Sequence, residues 1–339
     1  MSLVLNGVDY GPVQSASGAQ GWFGEGYWFH DYVPGLSWKG CCFVAKTTTL
    51  ERREGNMPFW DTEIIKQRKH HFRPMERFPK CVVVKPWKGV VLNSVGLSGP
   101  GAEALFNTRE WQRRQVPFFL SFMSVAPTPE ERFTEAQRFW ELLVAKLPEF
   151  AAPFGLQINL SCPNTEHDPA EIAGEARKIL GIFQSIRSRV PIVPKFNVLF
   201  PVEAMDRLRS LCDAVCVSNT IPYGQLPAAI DWGAYFGREW APINKDSSVG
   251  GFVNSPLAHL GGGGLSGKPL LPLVASWVQD VCTRRIDVPI IAGGGILSPY
   301  DVDVLADAGA DSVFLGSIAM LRGWRLQKTI RRAHKLLGA

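Results

Sequence analysis

Lys46, Asn159, Lys195 and Asn219 each close a short run of apolar residues, where an ammonium or a carboxamide is costly to bury without a partner. A satisfied strand-end amide is the ordinary explanation of any single asparagine. Two lysines aimed at the same end of a fold call for more. A third reactive group lies in Asn159-Leu160-Ser161-Cys162-Pro163-Asn164-Thr165. A lone cysteine is usually a small buried hydrophobe. Cys162, however, follows a strand end, precedes a turn-forming Pro-Asn pair and stands among polar residues, which suits a nucleophile or a proton-abstracting thiolate. Glycines cluster at Gly293-Gly294-Gly295, at Gly316-Ser317 and along Gly261–Gly267. Where strands end in glycine, backbone N–H groups approach phosphate oxygens closely. Tight turns alone would also use glycine, but the three clusters together favour a phosphorylated ligand.

The elements that must carry these residues follow from pattern. Short apolar or β-branched runs recur at 11–17, 41–47, 118–124, 156–161, 191–197, 213–219, 288–294 and 311–317. Several are apolar almost throughout, as parallel strands covered on both faces are. Helical periodicity falls between them, at 101–113, 129–147, 169–187, 201–211, 270–283, 299–308 and 324–337. Thr128-Pro129 with Glu131, and Ser298-Pro299, are N-cap signals, and Gly309 closes the second of these helices. Eight strands alternating with helices predict an α/β fold, a closed (β/α)8 TIM barrel over residues 1–339 as one domain. Insertions at 48–92 and 221–262 leave the C-terminal ends of the second and sixth strands, the face where barrel active sites are built. The phosphate-binding glycines fall after strands seven and eight, as barrels commonly arrange them.

Composition excludes several alternatives. Glycine (33) and proline (25) in 339 residues stay far below collagen or low-complexity levels. A net charge of +5 is weak for a nucleic-acid binder. No apolar run reaches membrane-spanning length and the N-terminus lacks a secretory pattern, so the cytoplasm is the expected compartment. The seven cysteines include no C-x-x-C pair and the six histidines do not cluster, so no metal site is expected. The cationic run Lys66–Lys80 and the basic face of the last helix read as solvated surface.

These residues, in order, resemble the dihydroorotate dehydrogenases, FMN-dependent barrel enzymes of pyrimidine synthesis. The resemblance runs through Ala16-Ser17-Gly18, Lys46 to Asn56, Leu92 to Leu97, Asn159 to Thr165, Lys195, Ser218-Asn219-Thr220, Gly263 to Leu270, Gly294-Gly295-Ile296 and Gly316-Ser317. The run Thr49-Leu50-Glu51-Arg52-Arg53-Glu54-Gly55-Asn56 with Ser161-Cys162-Pro163-Asn164 is similar to the soluble class 1 branch, whose base is a cysteine. The resemblance implies that Gly294, Gly295, Gly316 and Ser317 hold the FMN phosphate, with Gly267 assisting. It places Ser17, Lys46, Thr47, Asn159 and Ser218 along the flavin, and Lys195 at the ring edge where reduced flavin gathers negative charge. Asn93, Asn159, Asn164, Asn219 and Thr220 would match the carbonyl and N–H edges of dihydroorotate. Lys46 and the backbone around Gly96 and Leu97 would take its carboxylate. The implied reaction is removal of a C5 proton by the Cys162 thiolate, with hydride passing from C6 to flavin N5.

The same resemblance implies a homodimer with a soluble electron acceptor. Missing N-terminal hydrophobic helices argue against a membrane quinone. NAD would need a separate subunit, because no cysteine cluster holds an iron–sulfur centre. Fumarate is then the simplest acceptor. Three alternatives stay open: a related FMN enzyme with another small cyclic or carbonyl substrate, a non-redox phosphate-binding lyase or isomerase, and a flavin-binding subunit without turnover. The chain departs from the family in the brief Thr165–Asp168 loop, the long 221–262 insertion and a Trp-rich segment at 22–38.

Overall fold

Eight short strands make one parallel sheet: β1 (Val13–Ser15), β2 (Phe43–Val44), β3 (Phe118–Phe122), β4 (Phe154–Asn159), β5 (Ile192–Phe196), β6 (Val215–Val217), β7 (Ile290–Ala292) and β8 (Ser312–Leu315). Their spatial order is β1-β8-β7-β6-β5-β4-β3-β2. The ring closes between its two ends, where Ser15 N–H donates to Cys42 O and Cys42 N–H to Val13 O, both at 2.9 Å. This is the (β/α)8 barrel expected from the alternation; seven strands fall inside the ranges assigned to them, and β4 begins two residues earlier, at Phe154 rather than 156. The computed structural model describes residues 2–59, 72–160, 169–237, 241–242, 250–251 and 255–338.

Strand periodicity sorts the side chains. Along β5, Val193 and Lys195 fall on one face and Ile192, Pro194 and Phe196 on the other. Val193 joins Val44, Phe119, Cys216, Ile291 and Phe314 in a cluster filling the barrel bore. Leu3, Leu5 and Tyr10, flanking the short N-terminal hairpin Val4–Leu5/Val8–Asp9, pack into the same cluster from below. The outward set forms the larger core with the helices, for example Phe122 stacked on Phe139 at 3.8 Å.

The helices are α1 (Ala102–Asn107), α2 (Pro129–Lys146), α3 (Pro169–Ile182), α4 (Val202–Leu208), α5 (Trp232–Phe236), α6 (Leu270–Thr283), α7 (Pro299–Asp307), α8 (Ile318–Leu321) and α9 (Leu326–Leu337). Capping boxes start α2, through Thr128 and Glu131, and α7, through Ser298 and Asp301. α1 ends well short of 113. Arg109 takes a left-handed φ of 62° there, and Trp111 folds back into the core, its Nε1 donating to Trp22 O at 2.6 Å. The helices expected at 169–187 and 201–211 finish as tighter 3₁₀ turns, 183–186 and 209–211.

The two insertions meet. Val82–Lys85 and Val90–Asn93 from the first pair with Gly264–Gly267 and Ile221–Pro222 at the edges of the second, in an antiparallel four-stranded sheet ordered 221–222, 264–267, 90–93, 82–85. Periodicity gave no warning of this cap sheet. One of its two central strands, Gly264–Gly267, is glycine-rich, and glycine has little strand propensity outside such a pairing. Gly264–Gly267 therefore belongs to a strand rather than to a turn opening directly into α6.

Candidate functional site

A single cleft over the C-terminal ends of the barrel strands gathers nearly all the residues singled out from the sequence. Ser17, Lys46, Thr47, Asn93, Gly96, Leu97, Asn159, Lys195, Ser218, Asn219, Thr220, Gly294, Gly295, Gly316 and Ser317 all line it. Its volume is about 2550 Å³, well beyond the roughly 300–1,000 Å³ that encloses one drug-sized ligand.

Lys195 rises from the bore into the floor of this cleft because it sits two residues beyond Val193 on the same face of β5. It is 4% exposed. Among the described residues no carboxylate pairs with it, and its Nζ lies 5.0 Å from the centre of the Phe314 ring. Burial pulls its pKa below the usual lysine value, and nearby Cys216 pulls the other way. A buried ammonium of this kind is stabilised by any anionic group that enters above it.

The glycines after β7 and β8 form one wall. Gly294 and Gly295 have φ of 129° and 82°, a backbone that residues with a Cβ avoid. A Cβ on Gly295 would fall 2.7 Å from Leu271 N and 2.9 Å from Gly267 O, and one on Gly316 would fall 2.9 Å from Ala16 Cβ. The β7 turn is thus pressed against the start of α6, and the β8 turn against the end of β1. Gly267 does not line the cleft; it stands behind Gly295. Gly261, Gly263, Gly264 and Ser266 line the cleft instead.

The opposite wall is polar and amide-rich. Asn219 Nδ2 donates to Asn159 Oδ1 at 3.0 Å, and Asn159 is in register with Lys195 across β4 and β5. Asn93 Nδ2 reaches Gly264 O across the cap sheet at 3.3 Å. Thr47 Oγ1 is 2.9 Å from Ser121 Oγ and donates to Ser17 Oγ at 3.2 Å. Ser218 Oγ donates to Asn219 O at 2.5 Å. Gly96 and Leu97 form a left-handed turn, φ 70° and 55°. A backbone ladder between Arg53 and Gly99 holds that turn at the rim, with both hydrogen bonds at 2.9 Å.

Lys46, 7% exposed, projects from the segment after β2. Its Nζ stands 5.1 Å from the centre of the Trp22 indole. Desolvation lowers its pKa to about 8, while Glu25 and Cys81 favour the charged form. Trp22 is a residue that sequence reading missed, although the tryptophan surplus in 22–38 was visible. The same segment sends Tyr27, Trp28, Phe29 and His30 to the cleft. Asn197, also missed, lines the cleft next to Lys195. Cys162 and Asn164 lie outside the described residues. Cys41, Cys42, Cys81, Cys212, Cys216 and Cys282 are free thiols, and no His/Cys/Asp/Glu cluster able to hold a metal occurs among the described residues.

The site is thus a closed barrel whose cleft has a glycine wall, an amide-lined flank and, in its floor, a buried ammonium with no carboxylate partner among the described residues. Comparison with known proteins narrows this. Residues 247–336 match the family model described as dihydroorotate dehydrogenase. The chain is 26% identical over 314 residues to the dihydroorotate dehydrogenase B (NAD(+)) catalytic subunit of Caldicellulosiruptor saccharolyticus, covering 91% of this chain and 83% of that one. It is likewise 26% identical over 336 residues to the corresponding subunit of Desulforamulus reducens, covering 96% and 89%. Dihydroorotate dehydrogenase A (fumarate) of Lactiplantibacillus plantarum is 26% identical over 227 residues, covering 67% and 66%. The crystal structure of ligand-free DHODH from Eimeria tenella superposes with a TM-score of 0.61 at 18% identity, covering 99% of this chain and 86% of that one. Over most of its length the chain is thus similar in sequence to dihydroorotate dehydrogenase subunits, and it shares the barrel fold of the Eimeria tenella structure.

Proposed function

We propose that this protein is an FMN-dependent dehydrogenase that oxidises dihydroorotate to orotate, with Cys162 as the base. The observation that carries the reading is the convergence in one cleft of the Gly294/Gly295 and Gly316/Ser317 walls, the unpaired Lys195 ammonium and the amides of Asn93, Asn159 and Asn219. FMN fits that set. A phosphate suits glycine walls that a Cβ would obstruct, and an electron-rich ring edge suits a buried cation with no carboxylate beside it. When bound, FMN would supply the acceptor for the hydride leaving C6 of the substrate.

The chain's own groups would do the rest. Thr47, Ser17 and Ser218 present hydroxyls along the cofactor. Lys195 holds positive charge in the floor with no counter-ion among the described residues, so its field is directed into the cleft. Asn219, which donates to Asn159, and Asn93 of the same cleft present carboxamides that match a ring bearing both carbonyl and N–H groups. Lys46 and the Gly96–Leu97 turn receive the carboxylate. Cys162, as thiolate, takes the C5 proton; a free thiol with a pKa of about 8.5 makes this step faster in mildly alkaline solution.

The first test is optical. Purified protein should carry flavin absorption that bleaches anaerobically on addition of dihydroorotate. A colourless protein that fails to take up FMN would indicate a non-redox barrel enzyme instead. For the acceptor we propose fumarate in a homodimer. A second reading, transfer to NAD(+) through another subunit, is favoured by the relatives named as catalytic subunits, which match over more of the chain than the fumarate enzyme does. Rapid mixing of the reduced protein with fumarate, NAD(+) and a quinone separates these: oxidation by fumarate alone supports the first, and inertness toward fumarate sinks it.

A further inference from the structure

The tryptophan-rich segment 22–38 has no part in the reaction proposed above, and its geometry around Lys46 gives one of those tryptophans a task. Trp22 is 2% exposed and does not line the cleft; it stands behind Lys46. Its ring is fixed on several sides. Phe59 and Phe72 meet it edge-on at 5.6 and 5.5 Å. Its carbonyl accepts from Trp111 Nε1 at 2.6 Å. Its backbone N–H and that of Phe23 donate to the two carboxylate oxygens of Glu25 at 3.0 and 2.7 Å. The next link is to Lys46 itself, whose backbone N–H donates to Gly21 O at 2.9 Å and whose Nζ lies 5.1 Å from the indole centre. Among the described residues that ammonium has no salt bridge or hydrogen bond to a side chain. A desolvated cation over an indole face gains more than one over phenyl or phenol.

We propose that Trp22 is a positioning residue for Lys46: its indole, packed edge-on by Phe59 and Phe72 on a backbone held by Trp111 and Glu25, sets where the ammonium stands in the cleft and helps to keep it charged without a carboxylate bonded to it. A carboxylate partner would fix the lysine equally well but would neutralise it toward an anionic ligand. The ring leaves the charge available. This inference rests on the proposed role of Lys46 in receiving the substrate carboxylate.

The test replaces Trp22 with mono-, di- and trifluorotryptophan by site-specific incorporation, which withdraws electron density from the ring and keeps its shape. Orotate binding to the FMN-loaded protein is then followed by calorimetry. Trifluorination should weaken orotate roughly three- to tenfold, graded with fluorine number. The pH above which binding fails should also move downward, because a less stabilised ammonium loses its proton earlier. Among the described residues the other titratable side chains acting on Lys46 are Glu25, from the loop that carries Trp22, and Cys81, from the turn before Val82–Lys85; both favour the charged form and both are retained throughout. Lys46→Met closes the cycle. It should weaken orotate and abolish the dependence on fluorination. If Lys46→Met weakens orotate while the fluorinated series is flat, Trp22 has no such role and the reading of Lys46 stands. A fluorine dependence that persists in Lys46→Met likewise overturns the proposal. If Lys46→Met binds orotate like the parent, the role of Lys46 falls and the proposal with it.

Discussion

At the scale of single residues, the cleft separates charge that is compensated from charge that is held in reserve. Lys195 belongs to the second kind. Replacing it with methionine removes a buried ammonium whose hydration was lost on folding. The flavin-free protein should therefore melt a few degrees higher, measured by calorimetry, while reduction of the bound flavin by dihydroorotate slows by a factor of ten or more. A fall in both quantities would show that Lys195 is structural. Cys162→Ala should retain FMN yet lose most flavin reduction in rapid mixing; near-parental reduction would exclude the thiolate as base. Glu25 shows the opposite titration logic. Burial lifts its pKa to about 7 against backbone N–H donors that favour the anion. Its folded pKa exceeds its unfolded one, so its contribution to stability is complete below about pH 4.5 and is lost as pH rises through about 7, on the order of 3 kcal/mol. Denaturant titrations across that interval should show the slope in the parent and its loss in Glu25→Gln. Most of these groups were legible in the sequence as residue types at strand ends. Trp22 was not, because nothing local distinguishes a core indole from one facing a cation.

At the scale of elements, position in the barrel follows from strand periodicity and from turns that only glycine can make. Two residues separate Val193, in the bore, from Lys195, at its mouth, so a slip of one residue along β5 would turn the ammonium toward the helices. Gly295 combines a φ of 82° with the approach of Leu271 N and Gly267 O. Gly295→Ala should cost about 1–3 kcal/mol by backbone strain and collision. It should also release FMN, seen as loss of colour on gel filtration. Retention of FMN at parental stability would remove the β7 turn from the phosphate site. The eight strands and the two capping boxes could be read directly because each signal is local: apolar runs, Thr128 with Glu131, Ser298 before Pro299. The cap sheet could not. Val90–Asn93 pairs with Gly264–Gly267 across more than 170 residues, and neither strand has a pattern that identifies the other.

At the scale of the whole molecule, the fold brings residues from all along the chain to one rim, from Ser17 near the start to Ser317 near the end. No helix among the described residues is long and apolar enough to cross a membrane. A ligand that bridges β5, β7 and β8 binds only the folded chain. Saturation with FMN at about 100 times its Kd should therefore raise unfolding free energy by about 2.7 kcal/mol, checked by thermal unfolding with and without cofactor. An unchanged transition would argue that FMN does not bind. The sequence by itself determined the repeating strand–helix order, the helix starts, the reactive side chains at strand ends and the glycines that turns require, since each depends on residues a few positions apart. Only the tertiary structure decided that the two insertions form one cap, that Lys195 has no counter-ion among the described residues and that Lys46 rests on an indole. Those outcomes depend on which distant segments the closed barrel brings into contact, and a desolvated charge is defined by the neighbours it acquires there.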